Sequence, residues 1–199
     1  MIQEEFFNYV FTSGGLAKLK LEKPSSLQWL NQLSQALEEK KFPRGHNLLN
    51  IGQTPEHIYF LKTGAMSGYY LDADGKPTTL YLWCENSIVT DIAGYMNETP
   101  SDLRIDVCNI SEVIAIHRSA INSIIDQYPD AFLFLIQIQG HFLKYHRERD
   151  MDSQTLTAKD RYSKLHSTSR KLGTKFTKKS IASLLGISPS HLYELMNEK

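Results

Sequence analysis

Apolar and polar positions change rhythm three times along the chain, and each change predicts a different kind of element. The first forty residues read as helical. Phe6, Phe7, Val10 and Phe11 form one apolar face, which Gly14-Gly15 breaks. Pro24-Ser25-Ser26 offers a new helix start, and Leu27, Leu30, Leu33 and Leu37 follow as a buried stripe. From Phe42 to His117 short β-rich runs take over: Ile58–Leu61, Ser67–Leu71, Thr79–Trp83 and Val113–Ile116. Glycines and prolines punctuate them, and Leu71-Asp72-Ala73-Asp74-Gly75-Lys76 reads as a hairpin. This spacing predicts a β-sandwich, barrel or roll. Between Asn86 and Asp102 the strand texture lapses into one or two helical turns over Thr90–Asn97 and a loop over Glu98–Ser101, an irregular insertion of the kind that carries ligand sites.

Helices return after His117. Arg118–Tyr128 is short, with Ser119 as its expected cap. A long run from Pro129 to about Ser153 follows. Its first half, Ala131–Ile136, is apolar on every side, and Ile138, Phe142, Leu143 and Tyr145 continue it. Such a helix needs cover on more than one face. The β-domain supplies one cover; a second copy of the chain, or the N-terminal helices, supplies the other. Lys144–Asp152 is charged and solvated. The tail divides into a helix from Thr157 to about Lys171, a second over Thr177–Leu185, a turn at Gly186-Ile187 and a third over Ser188–Met196.

Ile181–Leu195 is the most specific segment. Ser188 suits an N-cap and Pro189 the first helical position, where a missing N–H costs nothing. Ala182 allows two helices to cross closely, and Gly186 tolerates a left-handed turn. Ile181, Leu184, Leu185, Ile187, Leu192 and Leu195 fill the space between. This pattern predicts a helix-turn-helix, whose second helix enters the DNA major groove.

Charge sharpens that expectation. The 199 residues carry 22 Lys+Arg and 22 Asp+Glu, but the balance is divided along the chain. From Ser153 onwards nine basic residues face three acidic ones; before it, 13 face 19. A basic tail behind an acidic body points to nucleic acid. Lys178 and Lys179 are expected phosphate anchors, and Ser188, Ser190, His191 and Glu194 are the positions from which bases would be read. The two cysteines, Cys84 and Cys108, have no CxxC or Cys/His ligand spacing, so no metal site is expected. An acidic N-terminus unlike a signal peptide, and no apolar run of transmembrane length, predict a reduced, cytoplasmic protein without a membrane partner. No paired carboxylates, nucleophile triad or phosphate-cradling glycine loop suggests an enzyme.

In order, these parts resemble the Crp/Fnr family of bacterial transcription regulators. Leu48–Gln53 followed by Ile58–Gly64 resembles the first roll strands of that family, Ala158-Lys159-Asp160-Arg161-Tyr162 the signature after its dimer helix, and Ile181–Pro189 its helix-turn-helix. The resemblance implies an α+β chain: a cyclic-nucleotide-binding-like double-stranded β-roll with flanking helices over 1–128, a dimerisation helix over 129–153, and a winged helix-turn-helix over 154–199. It implies a homodimer bound to double-stranded DNA, with RNA polymerase and a small-molecule effector as further partners.

Two departures qualify it. Cyclic-AMP-binding members carry Gly-Glu and, about ten residues later, Arg-Ser or Arg-Thr; here Thr90-Asp91 and Ser101-Asp102 stand there. Asp91 can accept from a hydroxyl, but Ser101 cannot neutralise a phosphate and Asp102 repels one. Cyclic AMP in the usual pose is therefore not expected, no cofactor is assigned, and the candidate effector residues are Tyr81, Trp83, Thr90, Asp91, Ser101 and Asp102. The family's iron–sulfur sensors need a cysteine cluster missing here, and His57, His117 and His141 lack a telling spacing for haem. In the reading helix, members often carry Glu at the position of Ser190 and Arg at that of Glu194. Glu194 can accept from cytosine or repel phosphate, which leaves open a second reading: a small-molecule or protein-interaction module whose helix-turn-helix no longer reads DNA.

Overall fold

The computed structural model describes residues 24–168 and 172–197. The expected helix at Phe6–Phe11 and its break at Gly14-Gly15 lie outside them, as do Lys171, Glu198 and Lys199. Helix α1 (Pro24–Gln35) buries Trp29, Leu30 and Leu33. Leu27, expected in the stripe, is 65% exposed. At 100° per residue, a face centred between Trp29, Leu30 and Leu33 leaves Leu27 roughly a third of a turn away.

Eight strands then form two antiparallel four-stranded sheets. They are β1 (Glu38–Phe42), β2 (Asn47–Leu49), β3 (His57–Thr63), β4 (Met66–Leu71), β5 (Pro77–Trp83), β6 (Ser87–Val89), β7 (Arg104–Val107) and β8 (Ser111–His117). One sheet runs β1-β8-β3-β6 and the other β2-β7-β4-β5. Ile58, Phe60, Leu61, Met66, Val89, Ile105, Ile114 and Ile116 fill the space between them. The predicted hairpin is present: Gly75, at φ +73°, donates to Asp72 O at 2.9 Å, and Asp72 Oδ1 accepts from the backbone of Asp74 and Lys76. The β3–β4 turn depends on Gly64. Its φ is +103°, and a Cβ there would stand 2.2 Å from Ser111 Oγ and 2.7 Å from Ile110 O.

The β4–β5 ladder contains a bulge. Gly68 pairs with Tyr81 and Tyr69 with Thr79, so Leu80 is an extra residue. β5 is also an edge strand. Its free groups are taken up by helices: Leu80 O accepts from Arg149 Nη1 at 2.8 Å and Tyr145 Oη at 3.3 Å, while Thr79 N–H donates to Ser183 Oγ at 2.8 Å. An edge covered in this way is no template for another strand.

Short helix α2 (Ile92–Asn97) sits between β6 and β7. Helix α3 (Arg118–Gln127) is capped by the His117 side chain, which accepts from Ser119 N–H, rather than by Ser119 as expected. A 3-10 turn (Pro129–Ala131) leads to α4 (Phe132–Thr155). Phe134, Leu135, Ile138 and Phe142 bury one side of α4 against the roll, whereas Leu133, Ile136 and Leu143 on another side are exposed.

The tail consists of α5 (Ala158–Thr168), α6 (Leu172–Lys175), α7 (Lys178–Leu185) and α8 (Pro189–Asn197). Phe176, Ile181, Ala182, Leu185 and Leu192 form a second core with Ala65 of the roll, margined by Leu82, Cys84 and Cys108. Lys175 pairs with Glu85 and donates to Gly64 O at 3.3 Å. Among the described residues no strand follows β8, so the expected wing has no counterpart there. No helix among them is long and apolar enough to cross a membrane.

Candidate functional site

Two regions concentrate the expected site residues. The first is the roll around α2. Asp91 caps α2, its Oδ1 accepting from Ala93 N–H at 3.2 Å and Gly94 N–H at 3.3 Å. Its Oδ2 accepts from the Ser101 hydroxyl at 2.6 Å. That oxygen would lie 2.7 Å from a Cβ at Gly94, so a glycine is needed beneath it. Ser101 is buried, and its Oγ also accepts from Leu103 N–H at 3.0 Å. Thr90 is buried too and donates to His57 O at 3.0 Å. The polar atoms at the two cassette positions are thus satisfied by each other and by the backbone. The helix end that an anion would approach already holds a carboxylate. Asp102 is exposed and lies apart from this network. Arg104 is drawn to Asp106 Oδ1 at 3.0 Å.

Tyr81 and Trp83 are buried. They stack on each other with ring centres 4.6 Å apart, and Tyr81 meets Phe142 edge-on at 5.8 Å. Tyr81 Oη and His146 Nε2 are hydrogen-bonded at 2.5 Å. These rings clamp α4 to β5. Burial first, then Arg149, holds His146 below the ordinary imidazole range.

A cavity of about 460 Å³ lies elsewhere in this domain. Thr90 and Asp91 reach its wall. The remaining lining includes Gln53, Thr54, His57, Tyr59 and Ile105 from β3, β7 and the loop before β3. Of the six expected effector residues, two therefore border it. His57 and Tyr59 were missed because a strand's alternation gives no sign of which face borders a void, and Gln53 because it lies in the loop before β3, where no periodicity applies. His57 stacks on Tyr59 at 5.4 Å; burial first, then Lys40 and His117, lowers its pKa. Burial, with Glu56, pushes the Tyr59 phenol up to about 12.

The second region is the α7–α8 pair. Thr177 caps α7, and Ser188 caps α8 by accepting from His191 N–H at 3.1 Å. Gly186 joins the helices in the left-handed conformation at φ +68°. Lys178, Lys179, Ser188, Ser190, His191 and Glu194 are all exposed. Tyr193, which sequence reasoning passed over, is 57% exposed on α8 with the Lys178 ammonium 4.8 Å from its ring centre. Its aromatic character at an outward position is the signal that could have found it. Arg161 fastens the pair to the rest of the chain: its guanidinium donates to Leu156 O at 2.7 Å, at the end of α4, and to Leu185 O at 3.2 Å, at the end of α7.

These features define a β-roll with a helical tail packed against it. Residues 39–128 match the family model of the cyclic nucleotide-binding domain. The fold is similar to that of FixK2 from Bradyrhizobium japonicum, with a TM-score of 0.69 at 15% identity, over 81% of this chain and 83% of that one. It is also similar to the c-di-GMP responsive global regulator CLP of Xanthomonas campestris, with a TM-score of 0.61 at 14% identity over 86% and 90%. For the catabolite activator protein of Thermus thermophilus the TM-score is 0.54 at 17% identity over 94% and 84%. In sequence, 111 residues are 23% identical to the potassium channel KOR1 of Oryza sativa subsp. japonica, 56% of this chain but 13% of the length of that curated relative.

Proposed function

We propose that this protein is a homodimeric, DNA-binding transcription regulator of the Crp/Fnr type whose roll does not take cyclic AMP in the usual pose. The observation that carries the reading is the exposed α8, presented beyond a capped α7 that begins with Lys178 and Lys179. The two lysines suit phosphate contacts, while Ser190, His191 and Glu194 offer groups to base edges. The second chain would lie on the outer side of α4, where Leu133, Ile136, Gly140 and Leu143 recur at the three-four spacing of a helix–helix seam. DNA is bound as a two-fold-related site, and RNA polymerase is the partner such a complex would meet.

The test is selection of genomic DNA fragments with the purified protein at several salt concentrations. Salt-dependent enrichment of a palindromic site is expected; enrichment of none overturns the reading. Glu194 favours one alternative, an adaptor that has lost DNA readout. DNA affinity that appears only in Glu194→Arg would establish it.

A further inference from the structure

The end of the β3–β8 ladder brings together three side chains that the chain order keeps apart. His57 opens β3, His117 closes β8, and the two are direct cross-strand partners. Their rings are 4.8 Å apart and nearly perpendicular. Glu56 precedes His57, and its backbone oxygen accepts from Arg118 N–H at 2.7 Å, which fixes this turn against the end of β8. One ligand atom from each of Glu56, His57 and His117 lies within 4.8 Å of the others, and His117 Nε2 is 3.7 Å from Glu56 Oε2.

We propose that Glu56, His57 and His117 form a binding site for a borderline divalent transition-metal ion, with Zn2+ as its representative, at the rim of the roll cavity. Two imidazoles and a carboxylate are the donor set such an ion takes. Metal–ligand bonds of about 2.0–2.1 Å put tetrahedral ligand atoms roughly 3.4 Å apart. His117 Nε2 and Glu56 Oε2, at 3.7 Å, already stand near that spacing, and the trio as a whole, within 4.8 Å, has to close by at most about 1.4 Å. Ser119 Oγ, 2.8 Å from His117 Nδ1, provides the outer partner. With Nδ1–H donating to that hydroxyl, Nε2 keeps its lone pair for the metal. In the other tautomer Nδ1 accepts from Ser119 N–H at 3.1 Å, so loading exchanges one cap bond of α3 for the metal bond. Lys40 Nζ, 3.3 Å from His57 Nε2, competes for the site. It stands 3.0 Å from Glu38 Oε2 and so has a partner to retain when displaced. Three protein ligands leave a coordination position open, and Glu56 and His57 both border the cavity. None of these residues lies on α7 or α8, so the site is independent of the DNA reading.

The experiment is calorimetric titration of the tag-free full chain with Zn2+, with Co2+ as a spectroscopic substitute. One ion per chain and the visible absorption of tetrahedral Co2+ are expected. Glu56→Gln, His57→Gln and His117→Asn should each weaken binding by about tenfold or more, and Lys40→Met should tighten it. Asn at 117 retains a capping side chain, and melting curves of the metal-free variants check that the fold is intact. No saturable binding, or binding that the three ligand substitutions leave unchanged, overturns the proposal.

Discussion

The Ser101 hydroxyl donates to the Asp91 carboxylate across 2.6 Å, joining two positions ten residues apart. The same carboxylate caps α2. Asp91→Ala removes the cap and the Ser101 bond at once. An N-cap is worth about 1 kcal/mol, and the loss of Ser101's partner adds a similar amount. A loss of about 1–2 kcal/mol in urea unfolding is the expected outcome. Cyclic AMP should leave the melting temperature of the wild type unchanged.

Gly64 and Gly186 both have positive φ, yet their surroundings differ. A methyl group at 64 meets Ser111 Oγ and the Ile110 carbonyl, whereas at 186 it meets nothing within 4 Å. Gly186→Ala should cost about 1–2 kcal/mol, the price of a left-handed non-glycine residue. Gly64→Ala adds a backbone clash and should cost about 2 kcal/mol more. Parallel denaturation curves of the two variants check the order.

Stability should fall with acidity through His146. Its folded pKa lies below the ordinary 6.5 because burial, then Arg149, disfavours the charged ring. The unfolded chain therefore binds the proton more readily, and stability rises with pH across this window. The contribution is fully present above the ordinary value and is lost as pH falls through the folded one. A neutral ring can accept from Tyr81; a protonated ring cannot. His146→Asn should flatten this part of a stability-against-pH profile.

The outer side of α4 leaves Leu143 at 70% exposure. Leu143→Glu places a charge in the proposed seam while touching little within the chain. Sedimentation should report a dimer for the wild type and a monomer for the variant, with the melting temperature of the roll nearly unchanged.

Lys178→Ala and Lys179→Ala should weaken DNA binding across all sequences alike. Each should reduce the slope of affinity against salt by about one. Fluorescence anisotropy over a range of salt concentrations checks both.

Alternation and turn chemistry made much of the roll legible. The Asp72–Lys76 hairpin, the strands of β3, β5 and β8, and the Ser188-Pro189 start of α8 all follow from local rules. β1 did not announce itself. Glu38, Glu39 and Lys40 fell within the first forty residues read as helical, and only pairing with β8 makes Glu38–Phe42 an edge strand. Edge strands carry such charges, so composition alone misleads there. Leu27 was misplaced because Trp29 turns the face of α1. Tyr81 and Trp83 were visible as aromatics, but their use as a clamp depends on Phe142 and His146, more than fifty residues later. The Glu56–His57–His117 cluster was hidden for the same reason: strand register, and not sequence spacing, makes its two imidazoles neighbours.

The bulge at Leu80 also decides where this chain can change length. Residues added at the tip of the Asp72–Lys76 hairpin leave the register of β5 untouched. Deleting one residue within β5 would shift its alternation by one position and turn every side chain to the opposite face. The Leu80 carbonyl would leave Arg149 and the Thr79 amide would leave Ser183, so α4 and α7 would lose their hold together. Natural variation in length should therefore accumulate at the hairpin tip and stop at Pro77.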